Sequence, residues 1–151
     1  DVFSRGVPHE WFTYLREQTG MLCTGDHVMP GSTVVINSPD GNMRTYLLSL
    51  ERLLAEDFAI FAPGHGYLIG APEKEVRKLI RHRLAREAKV VRSLAQLGRA
   101  MPEELVRAVY DDVQERLHPV ALRSLAAHLD KLAQEGRAHC IDGAWGLVAA
   151  P

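Results

Sequence analysis

Met21-Leu22-Cys23-Thr24 is a short strand-like run that stops at Gly25-Asp26, and Phe58-Ala59-Ile60-Phe61 is a second, broken by Pro63-Gly64-His65-Gly66. A carboxylate, Asp26, therefore stands just past one strand end and an imidazole, His65, just past the other. In a layered α/β fold, strand ends are where loops present ligands to a cleft. Glycines beside both residues allow tight turns that bring the two side chains toward a shared ion. A carboxylate oxygen and an imidazole nitrogen suit zinc or a similar divalent cation. Taken separately, each motif also fits an ordinary turn, helix cap or loop histidine.

The surrounding pattern alternates strand and helix. Residues 11–15 are aromatic and β-branched and predict a strand, which a turn at residues 17–20 joins to Met21 as a hairpin. Residues 33–36 predict a short strand or a buried loop. Met43, Leu47, Leu50, Leu53 and Leu54 recur at helical spacing after Ser38-Pro39-Asp40-Gly41. Pro72 opens a second helix at a position that tolerates proline. Val76, Ile80, Leu84, Ala88, Val91 and Ala95 are expected to be its buried face, and Gly98 its stop. Residues 102–111 and 119–135 predict two more helices. Strands at 137–141 and 145–148, joined through Asp142-Gly143-Ala144, form a hairpin. Helix, helix, helix, hairpin is winged-helix order.

The chain has 151 residues, 46% hydrophobic and 25% charged, with a formal net charge of −1. This is globular composition, able to bury a modest core. From Lys74 to Arg99 nine bases face two acids, Glu75 and Glu87; from Met101 to Asp142 eight acids face five bases. The basic run fits either a solvated helix face or a phosphate-attracting surface. Cys23 and Cys140 form no C-x-x-C pair and sit among apolar residues. They are expected to be buried free thiols in a reducing, cytoplasmic compartment. No apolar run reaches the ~20 residues of a membrane span, and no signal peptide is visible. The chain begins at Asp1 rather than Met, within strand-like sequence, and reads as a fragment or truncated product.

Taken in order, the motifs form a linked set: Thr24-Gly25-Asp26-His27-Val28-Met29, Gly31-Ser32-Thr33-Val34, Tyr46-Leu47-Leu48-Ser49-Leu50-Glu51-Arg52-Leu53-Leu54, Ala62-Pro63-Gly64-His65-Gly66 and His82-Arg83-x-x-Arg86-Glu87. This order resembles the C-terminal half of the metallo-β-lactamase superfamily, in its endoribonuclease-like subgroup with a C-terminal winged helix. The resemblance implies a partial αββα fold, α/β in class, over residues 1–87 and an α+β winged helix over 88–151. It implies two metal ions, usually zinc, with Asp26 as the bridging and catalytic aspartate and His65 as a ligand of the second metal. A metal-held water would attack an ester, thioester or phosphodiester. His27 lies either in the shell behind the ligands or in an exposed loop. Arg83 and Arg86 either face substrate or help a helix dock the tail, and Arg83 and Glu87 are spaced to pair.

The departures matter equally. None of the seven histidines forms the family's H-x-H-x-D-H signature. Counted back from Asp26 without gaps, Val7 falls where another family histidine belongs. His9 serves as that metal ligand only if the hairpin is two residues shorter. Two or three donors fall short of a full site, so the chain alone is expected to bind metal weakly or not at all and to be inactive. The alternative is a non-catalytic winged-helix interaction module on a degenerate hydrolase scaffold. Expected partners are a small-molecule ester or thioester, or RNA through the basic helix. The acidic tail suits duplex DNA poorly, although Arg123 and Lys131 lie on its recognition helix, and no membrane contact is expected. A sheet face carrying Trp11, Tyr14, Leu22 and Phe61, or the alternate residues, is expected to be bare and to support a homodimer. Ser49 and Arg52 read as plain helix surface.

Overall fold

The computed structural model describes residues 20–31, 33–37 and 41–149. The expected strand at 11–15, its hairpin, His9 and the turn residues 38–40 lie outside them. The described residues form two compact units, one within residues 20–34 and Thr45–Arg81, the other within residues 35–44 and 82–149.

In the first unit, strand β1 (Met21–Gly25) pairs in parallel with β2 (Ile60–Pro63). Consecutive parallel strands need a crossover, which helix α1 (Met43–Leu54) supplies. The register sets Leu22 beside Phe61 and Cys23 beside Ala62. Leu22 and Phe61 are buried, as are Tyr46, Leu47, Leu50 and Leu53 of α1. Two residues expected on a bare face are thus core. Met21, Cys23, Ile60 and Ala62, on the opposite face by strand alternation, are exposed or half-buried. Cys23 and Cys140 are free but exposed, contrary to the buried thiols expected. Residues 33–37 form neither strand nor helix, with Ile36 buried.

Helix α2 (Pro72–Leu97) begins at the expected proline and gives its residues from His82 to the second unit. Its buried stripe is Val76, Leu79, Arg83, Glu87, Val90 and Leu94. The apolar stripe expected from sequence is rotated from this one: Leu84 is 47% exposed, and Ala88 and Ala95 are exposed. The reason is that Arg83 and Glu87 occupy core positions, which a reading by hydrophobicity assigns to solvent.

The second unit continues with β3 (Arg99–Ala100), α3 (Pro102–Val109), a 3₁₀ turn (Glu115–Leu117), α4 (His118–Gln134), β4 (Ala138–Ile141) and β5 (Ala144–Leu147). The three strands form an antiparallel sheet in the order β3-β5-β4. The β4–β5 turn is Asp142-Gly143, both with positive φ, which matches the right-handed twist of the flanking strands. Leu105, Val109, Leu125, Leu129 and Leu132 close a core with Val90 and Leu94 of α2. Hydrophobic patterning foresaw this winged helix except for β3, which is too short to carry a pattern.

Candidate metal centre

Because β1 and β2 run parallel, their C-terminal ends lie at one edge and deliver both loops to one place. Gly64 N–H donates to the Gly25 carbonyl at 2.8 Å, tying the loops together. The loop holding His65 is pinched at its base, where Phe61 and Ile69 exchange backbone hydrogen bonds of 3.0 and 2.9 Å. Gly25 has φ +53, a conformation costly for a residue with a side chain. A Cβ on Gly64 would stand 3.1 Å from Asp26 Oδ1, so glycine there lets the carboxylate sit against the loop.

Within this frame His65 Nε2 lies 3.5 Å from Asp26 Oδ1, with the two side chains 78% and 59% exposed. The structure therefore brings together the two residues singled out first, as an open, solvent-facing couple. Among the described residues no group of three or more His, Cys, Asp or Glu side chains converges.

His27, the next residue after Asp26, is half-buried. Its ring meets Tyr46 edge-on with centroids 4.9 Å apart, and its Nε2 lies 2.8 Å from Ser49 Oγ. Tyr46 O–H donates to the His27 carbonyl at 3.1 Å. Burial lowers the His27 pKa to about 4, so the ring is neutral at neutral pH. Thr24 Oγ1 donates to the Val28 carbonyl and His27 N–H to the Thr24 carbonyl, closing the turn around Asp26. Ser49, expected at the surface, is buried. The signal was available: Ser49 follows Tyr46 by three positions and shares the α1 stripe of Met43, Leu50 and Leu53.

Arg83 and Arg86 belong to the second unit. Arg83 is buried. Arg86 forks onto Asp112 at 2.7 and 3.0 Å, donates to the Val109 carbonyl and lies 4.4 Å above the Tyr110 ring. Glu87 is held by Lys131 at 2.8 Å and Arg137 at 3.0 Å. Burial alone would raise the Glu87 pKa, but the ion pairs with Lys131 and Arg137, with His128 close by at 3.8 Å, hold it at about 2. Burial lowers the His128 pKa, against the pull of Glu87.

The profile of the β-lactamase-associated winged helix domain matches residues 102–145. The chain is 30% identical over 120 residues to the β-lactamase-like protein 2 homolog of Drosophila melanogaster, covering 78% of this chain and 40% of that one. It is 24% identical to the Caenorhabditis elegans homolog, covering 89% and 44%. The chain thus spans about two fifths of the length of these relatives. A metallo-β-lactamase family protein from Thermus thermophilus superposes with a TM-score of 0.73 at 20% identity, over 87% of this chain and 43% of that one. A β-lactamase domain protein from Burkholderia ambifaria gives 0.72 at 24%, over 85% and 42%.

Proposed function

Taking as premise that this chain is a member of the metallo-β-lactamase superfamily with a winged-helix domain, we propose that it contributes part of the site of a metal-dependent hydrolase. Residues 1–87 are the hydrolase portion and 88–151 the winged helix. Asp26 and His65 are the ligands this portion supplies, with His9 a third donor from outside the described residues. The observation that carries the reading is the 3.5 Å approach of Asp26 and His65 at the ends of adjacent parallel strands. A carboxylate and an imidazole, both exposed, fit a zinc ion with open positions. When bound, the metal pair supplies an activated water for attack on an ester, thioester or phosphodiester.

Fewer than four donors make this a weak site by itself, so the isolated chain turns over substrate poorly. A zinc titration followed by the His65 ring resonances tests the assignment. Wild type is expected to shift at high zinc and Asp26→Asn to lose the shift. A His65 signal indifferent to zinc, or unaffected by Asp26→Asn, sinks it.

The substrate is a small-molecule ester or thioester, or RNA. Duplex DNA suits the tail poorly, because Lys131 of the recognition helix is committed to Glu87 and Glu135. Exposed free thiols at Cys23 and Cys140 favour a reducing, cytoplasmic compartment. No helix among the described residues is long and apolar enough to cross a membrane. The chain is expected to self-associate through the face of Met21, Cys23, Ile60 and Ala62; a clean monomer in sedimentation at high concentration removes that element. The second reading, a non-catalytic interaction module, draws on the convergence of only two donors among the described residues.

A further inference from the structure

We propose that Pro30 is a positioning residue for His65: its ring is the stop on which the glycine after His65 seats, and it sets how the imidazole approaches Asp26. Both sequence neighbours of His65 are glycines, and both rest on the loop that carries Asp26. On one side Gly64 N–H donates to the Gly25 carbonyl at 2.8 Å, and a Cβ on Gly64 would stand 3.1 Å from Asp26 Oδ1. On the other side a Cβ on Gly66 would stand 2.6 Å from Pro30 Cγ and 3.2 Å from Pro30 Cδ. A Cα–Cβ bond is short enough that the Gly66 Cα itself lies within van der Waals reach of the Pro30 ring. Gly66 also has φ +93, a conformation that favours glycine.

The stop is stiff because of its residue type and its place. Proline's ring fixes its own φ. Pro30 and Gly31, the latter with φ +72, form a turn in the residue order that suits type II. The turn just before it is closed by Thr24 Oγ1, which donates to the Val28 carbonyl at 2.9 Å. His65 is thus held between a hydrogen-bonded seat at Gly64 and a steric seat at Gly66. The hydrogen bond alone would leave the far side of His65 free to hinge, and the second contact removes that freedom. Pro30 lies beyond β1 and Gly66 beyond β2, so relaxing this seat leaves the Leu22–Phe61 register and the Phe61–Ile69 pinch in place. A ligand set has to be held to about 0.5 Å, and removing an outer group that orients a ligand commonly costs ~10–100-fold in affinity.

The consequence for zinc rests on the metal reading above, but the seat itself does not. In the zinc-free chain, wild type is expected to show nuclear Overhauser contacts between the Pro30 Hγ and Gly66 Hα protons. Pro30→Ala removes both ring atoms at issue. It is expected to lower the ¹⁵N heteronuclear NOE of the His65 amide while the Phe61 and Ile69 amides keep their exchange protection. It is also expected to raise the zinc concentration at the midpoint of the His65 ring shift about tenfold. Gly66→Ala is expected to lose that shift, and Gly66→Ala with Pro30→Ala to recover part of it, because the clash with Cγ is gone although the φ stays costly. Missing Pro30–Gly66 contacts in wild type overturn the proposal, whether or not the variants fold. So does a Pro30→Ala chain whose His65 order and zinc midpoint match wild type, or a Gly66→Ala defect equally deep in both backgrounds. A wild type whose His65 is loosened by Pro30→Ala yet ignores zinc sinks the metal reading and leaves the seat standing, so the two fail by different signals.

Discussion

Among the described residues, two clusters of titratable side chains are built on opposite plans. In the second unit, Glu87, Lys131, Arg137 and Glu135 form a continuous ion-pair cluster with His128 alongside, and Glu87, Lys131 and His128 are buried. At the strand ends of the first unit, Asp26 and His65 face each other across 3.5 Å in solvent. A buried charge survives only when partners satisfy it, so the first cluster is bound to one arrangement. The second is held by loop backbone, through glycines and the Phe61–Ile69 pinch, and its polar atoms stay available. Charge density alone would rank the winged-helix cluster as the functional one. Availability reverses the ranking.

The contrast is broken most directly at Glu87. Glu87→Gln strands buried Lys131 with only Glu135 and is expected to destabilise the winged helix by about 3 kcal/mol. Urea unfolding followed by Trp145 fluorescence in a Trp11→Phe background measures it; a loss under about 0.5 kcal/mol, the level of ordinary surface changes, would show that the cluster is not structural. Acid should act the same way. The Glu87 pKa is lowered to about 2 in the fold, so its contribution is complete above the usual ~4.3 and is lost as pH falls from there to about 2. His128 is also lowered, so the unfolded chain takes up that proton first and stability begins to fall below ~6.5. The unfolding midpoint should fall with pH in wild type and fall less below ~4.3 in Glu87→Gln, where Asp112, Asp111 and Glu135, whose pKa values are also lowered, keep part of the acid limb. A smaller effect is expected at the Arg86–Asp112 fork, where one partner is half-exposed: Asp112→Asn should cost about 1 kcal/mol in the same assay.

The same contrast explains what could be read from the residues alone. The winged helix was legible because Leu105, Val109, Leu125, Leu129 and Leu132 repeat at helical spacing and Asp142-Gly143 marks the hairpin. Asp26 and His65 were legible because each follows a short apolar strand and stands beside glycine. The buried stripe of α2 was not, because periodicity treats Arg83 and Glu87 as solvent-facing, and only the fold supplies Lys131 and Arg137 some 44 and 50 residues further on. Ser49 was missed for the related reason that a small polar residue in a buried stripe carries no hydrophobic weight. For Arg83 and Glu87 the core position is set by the fold, and for Glu87 the partners lie far off in sequence, so no local pattern encodes them; for Ser49 the stripe was there to read, but its polarity hid it.

The smallest expected effect on stability falls where the effect on the site should be large. Gly64→Ala puts a methyl 3.1 Å from Asp26 Oδ1, and Asp26 is 59% exposed, so the carboxylate can swing into solvent rather than strain the loop. Stability should stay within about 0.5 kcal/mol of wild type. Gly25→Ala, by contrast, forces a side chain into the left-handed region and should cost roughly 1 kcal/mol. If the couple is a pair of ligands, Gly64→Ala should weaken the zinc-induced shift of His65 without moving the urea midpoint. A pair that merely decorates the surface would show neither change, and a pair that braces the loops would lose stability together with zinc response. Only the first outcome keeps apart the two plans by which this chain holds its charges.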